Sequence, residues 1–274
     1  MLFGILRGVV ARGRSEDARR PALIYFHGNA ESARDNVDLA QELARAGCDV
    51  FVHYRSSADG AHALAAEAGQ LGRRCASAPA DLTTTEESNA LVAQAIAFLG
   101  GLDILINNAG SLIGRRTLLE ADDRFWSDVI SLNVGSVRRV TRAAAPHLIA
   151  AAQTGGGASI VNLSSLAGRK GGHGGSLAYS TAKGAVLTFT RSLASELGPH
   201  GVRVNALAPG LILGTSFHTT HTTAESVRAT VAGIPLGRGG SVDDVARAAV
   251  FLAGEFDGFI TGATLDINGG VYGS

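Results

Sequence analysis

The chain carries only two cysteines, no excess of either charge, few aromatics and no apolar run long enough to cross a bilayer. Each shortage excludes something. Cys48 and Cys75 lack the paired spacing of a zinc site or a redox motif and fall in apolar segments. They are expected to be two reduced core thiols of a cytoplasmic protein, not a disulfide. Lys and Arg number 24 and Asp and Glu 24, so no footprint for nucleic acid or an anionic membrane surface is present. Aromatics are 5% against 46% hydrophobic residues, which leaves a core of Ala, Val, Leu and Ile, the material of helices laid on a parallel sheet. The apolar start, residues 1–10, is interrupted by Arg7 and followed by no small-residue cleavage pattern. Residues 1–20 are therefore expected to form a poorly ordered extension and not a signal peptide.

What is present is alternation. Residues 22–26 (ALIYF), 49–53 (DVFVH), 74–79, 103–107 (DILIN), 158–163 (ASIVNL), 203–208 (RVNALA) and 264–267 have strand character. Helical patterns lie between them at 37–46, 61–71, 85–99, 126–152, 179–197 and 242–253. Such alternation predicts βαβ units and, over 21–274, a single α/β domain: a doubly wound parallel sheet of Rossmann type with helices on both faces. A sheet of this kind binds ligands beyond the carboxyl ends of its strands, so the informative residues are those just after each strand.

Tyr179 and Lys183 are four apart at the start of a predicted helix and share one face. A cation near a phenol favours phenolate and brings tyrosine toward use as an acid/base near neutral pH. Upstream, VNLSS places Ser164 and Ser165 at a strand's carboxyl end, where a hydroxyl can polarise a substrate oxygen. Asn107, Asn108, Ala109 and Gly110 follow the DILIN strand, a small-residue turn that lets backbone approach a ligand. Asn133 interrupts a long helix, for which it is a poor residue, and calls for a local distortion or a water held by its amide. Asp81, after the third strand, either accepts a hydrogen bond from a base-like group or caps the next turn.

Taken in order, ADLT, LINNAG, the helix asparagine, NLSS, YSTAK, RVNALAPG and ITGATLDINGG resemble the short-chain dehydrogenase/reductase family from about residue 43 onward. The resemblance implies a catalytic tetrad of Asn133, Ser165, Tyr179 and Lys183, with Ser165 preferred over Ser164 because it precedes the small LAG segment. It implies a tyrosine whose pKa is lowered by Lys183, a serine that holds the substrate oxygen, and an asparagine that holds a relay water. It places Asp81, Leu82, Asn107, Ala109, Gly110, Pro209, Gly210, Ile212 and Thr215 along a nicotinamide cofactor cleft. It also implies a homotetramer or homodimer acting on a small molecule.

One stretch departs from the family. In place of the usual glycine-rich turn stands FHGNAESARDN, residues 26–36, in which only Gly28 remains. Ser32, Arg34 and Asn36 would then have to bind phosphate; alternatively, cofactor binding is impaired, or the first three dozen residues do not belong with the rest. The same stretch resembles the His-Gly loop of α/β-hydrolases, but no Gly-x-Ser-x-Gly elbow follows anywhere in the chain. After the second strand, His53-Tyr54-Arg55-Ser56 offers no acid for a ribose, while Arg55 and Ser56 suit a 2′-phosphate, favouring NADPH over NADH. The substrate loop, about 211–240, is rich in threonine and holds Phe217, His218 and His221; without a third ligand the two histidines imply a polar lid and no metal. Arg115 and Arg116 stand where a substrate carboxylate could be met. NNAGSLIGRR, GTSFH and LDINGGVY are similar to reductases of keto-deoxy sugar acids and uronates. A 3-oxoacyl carrier-protein reductase is the alternative, and a non-catalytic module of the same fold a third reading.

Overall fold

Seven parallel strands form one sheet in the computed structural model, which describes residues 20–25, 37–55, 66, 68–215, 223–254 and 258–273. The strands are β1 (Arg20–Tyr25), β2 (Cys48–Tyr54), β3 (Cys75–Pro79), β4 (Ile104–Asn107), β5 (Ala158–Leu163), β6 (Val202–Pro209) and β7 (Thr264–Ile267). Their spatial order is β3-β2-β1-β4-β5-β6-β7. The chain winds one way from β1 to β3 and the other way from β4 to β7, so the switch point lies between β1 and β4, which pair directly. β4 and β5 are buried along their whole length, as the apolar ILI run predicts for β4, while β5 also buries Ser159 and Asn162.

Helices cover both faces. On one, α1 (Val37–Arg45) and α8 (Val242–Ala253) bury Leu43, Ala44, Ala249 and Val250 against β2, β4 and β5. On the other, α2 (Thr85–Leu99), α4 (Ser136–Ala151) and α6 (Leu177–Leu197) bury Leu91, Leu99, Val140, Leu148 and Ala194. Leu148 is fully enclosed, and truncating such a leucine to alanine costs roughly 2–5 kcal/mol. Local chemistry sets the ends of these helices. The Thr84 side chain accepts from Glu87 N at the start of α2, and Ser241 and Asp244 form a reciprocal capping box on α8.

The sequence expectations need four adjustments. β1 begins at Arg20, ahead of the expected boundary at 21. The long helix begins at Asp123, capped by Asp122, because its polar first turn gives no apolar periodicity; it is also not uniform. A π turn (Ser131–Gly135) separates α3 (Asp123–Ile130) from α4. Two helices escape the pattern: the short α5 (Leu166–Lys170), and α7 (Ala224–Ala232) inside the expected substrate loop. α7 buries no residue, so it lacks the apolar face that would reveal it. Of the pattern at 61–71, only 66 and 68–71 are described; 66 and 68–70 are helical and 71 begins a turn.

Cys48 is buried and Cys75 partly so, and both are free thiols; burial pushes the Cys75 thiol up to about 11. Among the described residues no helix is long and apolar enough to cross a membrane, and no cluster of three metal-binding side chains occurs.

Candidate active site

The carboxyl ends of β4 and β5 converge on the first turns of α6. Because α6 starts at Leu177, Tyr179 and Lys183 sit one turn apart on the same face. Lys183 is 3% exposed, and its Nζ donates to Leu163 O at 2.8 Å and to Ala109 O at 3.4 Å. The ammonium lies 5.8 Å from the centroid of the Tyr179 ring. Ser165 is hydrogen-bonded to the Tyr179 side chain, and its Oγ also accepts from Ala167 N at 3.1 Å as the cap of α5. The neighbouring Ser164 does something different. It is buried and donates to Lys183 O at 2.7 Å, fixing the helix turn that carries the lysine. The alternation of side chains past the strand end thus turns one serine toward Tyr179 and the other into the packing.

Two glycines allow this convergence. A Cβ on Gly110 would lie 2.5 Å from both Asn133 Oδ1 and Lys183 Nζ. A Cβ on Gly168 would lie 2.6 Å from the Lys183 carbonyl carbon, so α5 rests directly on the backbone of α6.

Burial governs the titration of the pair. Desolvation lowers Lys183 to about 8 and raises Tyr179 to about 12, the latter opposed only in part by the hydrogen bond from Ser165. This corrects the expectation of a lowered tyrosine. Desolvation of the phenol outweighs an ammonium nearly 6 Å from the ring centroid. Tyr179 therefore keeps its proton across the neutral range, the form a proton donor requires.

Asn133 sits at the centre of the π turn and is completely buried. Its Oδ1 accepts from Ser111 N at 3.1 Å, while its Nδ2 donates to Ser111 O at 2.8 Å and Val129 O at 2.9 Å. The amide thus grips the peptide of Ser111, just beyond Gly110. The expected local distortion is present. Both amide N–H groups are taken, so a water held by this amide would meet the second lone pair on Oδ1. Ser111 was not anticipated; its place directly after the NNAG turn was the available signal.

Several residues expected along the cleft present main chain only. Asn107 is buried, donating to Asn162 Oδ1 at 2.8 Å and Thr141 Oγ1 at 3.0 Å, so its side chain ties β4 to β5 and α4 instead of facing a ligand. Leu82, Ala109 and Ile212 are likewise buried side chains. Ile212 packs where a Cβ on Gly240 would lie, 2.7 Å from its Cδ1, and pairs with Gly240 as an isolated bridge. Gly210 packs on Asn268, and Pro209 closes β6 opposite Ile267. Thr215 donates to Ile212 O at 3.2 Å. Asp81 caps its own turn, accepting from Thr83 N at 2.9 Å and Thr83 Oγ1 at 2.7 Å, and its Oδ2 lies 3.7 Å from the Arg55 guanidinium. Gly28, Ser32, Arg34, Asn36, Ser56, Phe217, His218 and His221 lie outside the described residues.

Arg115 and Arg116 cross the mouth of the site. Arg116 N donates to Gly175 O at 3.0 Å, and Arg115 Nη1 to Gly174 O at 3.4 Å, joining the post-β4 loop to the loop between Ser165 and Tyr179. Arg116 is otherwise engaged, 4.7 Å above the Phe125 ring and 3.7 Å from Asp122. Ile113, two residues before Arg115, has a positive φ of 61°, unusual for a branched side chain.

A nicotinamide riboside fits the donor set at the catalytic end. Lys183 has three N–H groups, of which two meet carbonyls, leaving one for a ribose hydroxyl. The Gly110 cradle admits backbone-close approach.

The family model described as enoyl-(acyl carrier protein) reductase matches residues 37–272. An uncharacterized oxidoreductase of Mycobacterium tuberculosis is 37% identical over 85% of this chain and 86% of its own length. The 2-dehydro-3-deoxy-D-gluconate 5-dehydrogenase of Escherichia coli is 35% identical over 85% and 88%. A 3-oxoacyl-[acyl-carrier-protein] reductase of Staphylococcus aureus is 34% identical over 85% and 92%. Among solved structures, the NADH-dependent reductase A1-R′ responsible for alginate metabolism superposes with a TM-score of 0.82 at 32% identity, covering 93% of this chain and 98% of that one. With this match across most of its length and with the Ser165–Tyr179–Lys183 arrangement on a doubly wound sheet, the chain belongs to the short-chain dehydrogenase/reductase family of oxidoreductases.

Proposed function

We propose that the protein is a nicotinamide-dependent carbonyl reductase that prefers NADPH and acts on a small keto sugar acid or uronate, as a cytoplasmic homotetramer or homodimer. The observation that carries the reading is Ser165 hydrogen-bonded to a protonated Tyr179, with the buried Lys183 one turn away. A bound nicotinamide supplies the hydride in reduction and receives it in oxidation. The protein's residues handle the oxygen. Tyr179 Oη gives its proton to the carbonyl oxygen as negative charge develops there, and in the oxidative direction takes it back. Ser165 Oγ donates to the same oxygen and steadies it. Lys183 orients a ribose hydroxyl and stabilises charge on Tyr179, and Asn133 holds the Ser111 loop against both.

Arg115, on the loop joining the site's two sides, is the candidate for a substrate carboxylate, and the keto-deoxy sugar acid relative supports that class. The NADPH preference rests on Arg55, exposed at the end of β2 with no acid beside it in the strand. A 2′-phosphate there would take over from Asp81, 3.7 Å away. Gly28, Ser32, Arg34 and Asn36 would hold the pyrophosphate. The second reading is a 3-oxoacyl carrier-protein reductase, favoured by the Staphylococcus aureus relative.

The test is turnover with NADPH or NADH of a keto-deoxy uronate against an acetoacetyl thioester. Faster use of the uronate supports the first reading and faster use of the thioester the second. Replacing Tyr179 by Phe is expected to abolish either activity while leaving cofactor affinity within about twofold. No binding of either cofactor at millimolar concentration would refute both and leave a non-catalytic module.

A further inference from the structure

The helix widens at Ser131–Gly135 into a π turn, in which Ser136 N donates to Ser131 O, and three side chains add donors to carbonyls of this stretch. Asn133 Nδ2 donates to Val129 O at 2.9 Å, and Ser136 Oγ donates to Leu132 O. Arg139 serves Ser131, with Nη1 3.4 Å from its carbonyl and Nη2 3.3 Å from its Oγ. Arg139 also reaches outside the helix. Its Nη1 donates to Leu82 O at 3.2 Å, in the loop that follows β3. The guanidinium is spent on main-chain and serine oxygens, with no carboxylate among these partners. Gly135 leaves room for it: a Cβ there would lie 2.7 Å from Nη1.

These contacts join two halves of the sheet. Leu82 belongs to the β1–β3 half, beyond which the adenosine of a dinucleotide falls; Ser131 and Asn133 belong with the half that carries Tyr179 and Lys183. We propose that Arg139 is a positioning residue that ties the adenosine-side loop at Leu82 to the π turn and so holds Asn133 in the register that grips Ser111. This rests on the dehydrogenase reading above. Return of the turn to regular α-helix would rotate Asn133 by about 100° around the helix axis and take its amide off the Ser111 peptide.

The test uses three variants of the full chain: Arg139→Met, Arg139→Lys and Gly135→Ala. The last keeps the charge and pushes the guanidinium aside, although alanine is the better helix former. Hydrogen exchange of amides 82–84 and 131–136 is read without added cofactor, and kcat and cofactor KM are measured separately. Arg139→Met and Gly135→Ala are each expected to speed exchange about tenfold in both segments together, to lower kcat about tenfold and to raise cofactor KM, as loss of hydrogen bonds from a charged donor implies. Arg139→Lys is expected to recover part of each. Unchanged exchange, or loosening at 131–136 alone, overturns the proposal, since a plain helix brace would not move residues 82–84. Should Arg139→Met fail to fold, Gly135→Ala and Arg139→Lys decide by the same comparison. A wild-type protein without turnover would defeat the dehydrogenase reading, while exchange would still decide the tie.

Discussion

Replacing Lys183 by Met tests the electrostatics of the site without any substrate. Folding takes the lysine from an ordinary value of 10.5 to about 8 by burying its ammonium. The sign follows from proton counting. Below about pH 8 the amine is charged in both folded and unfolded chains, and the folded state bears the full desolvation penalty. Between 8 and 10.5 the unfolded chain holds a proton that the folded one has released, so stability from this group rises with pH. At 1.36 kcal/mol per pKa unit, the penalty relieved between pH 7 and 9.5 is about 2 kcal/mol. Methionine keeps the aliphatic stem and has no such dependence. The measurement is denaturant unfolding of wild type and Lys183→Met at both pH values. Other groups titrate equally in the two proteins and cancel in the difference. Wild type is expected to gain about 2 kcal/mol on the variant as the pH rises. A pH-independent gap, or one moving the other way, would show that the ammonium is not desolvated and would undo the charge account given for Tyr179.

The two serines separate by role. Ser165→Ala is expected to lower kcat by about 10²–10³, as for loss of a donor to a developing oxyanion, with about 0.5–2 kcal/mol of stability lost through the cap of α5, whereas Ser164→Ala should cost about 0.5–1.5 kcal/mol of stability through its lost hydrogen bond to the Lys183 carbonyl and leave kcat within a few-fold; equal effects on kcat would contradict the geometry. Gly110→Ala should abolish turnover and destabilise by about 1–3 kcal/mol, since its methyl would meet Asn133 and Lys183 at 2.5 Å; full activity would mean that the cradle is not needed. Arg55→Ala should reduce kcat/KM about tenfold with NADPH and little with NADH, and an equal change with both cofactors would remove Arg55 from phosphate recognition.

Much of the frame follows from local chemistry that a single sequence records. Apolar runs such as ILIN and ASIVNL specify strands buried on both faces, Thr84 and Ser241 cap their helices, and four-residue spacing alone puts Tyr179 and Lys183 on one face. Resemblance added the roles. What the sequence could not supply is whatever depends on groups distant along the chain. Ser164 and Ser165 are adjacent and chemically identical; resemblance preferred Ser165 for the site, but the partner of Ser164, the Lys183 carbonyl, appears only with the packing of α5 on α6. Asn107 stands in a motif read as cofactor-lining, yet register with Asn162 turns its amide into the sheet interior. The direction of the tyrosine shift depends on desolvation, a property of the assembled interior and not of residue spacing. The π turn is the clearest case. Asn133 marked a disturbance in the helix, but which side chains add donors to its carbonyls depends on the fold, and the link onward to Leu82 exists only once the loop after β3 meets the Arg139 side chain of α4.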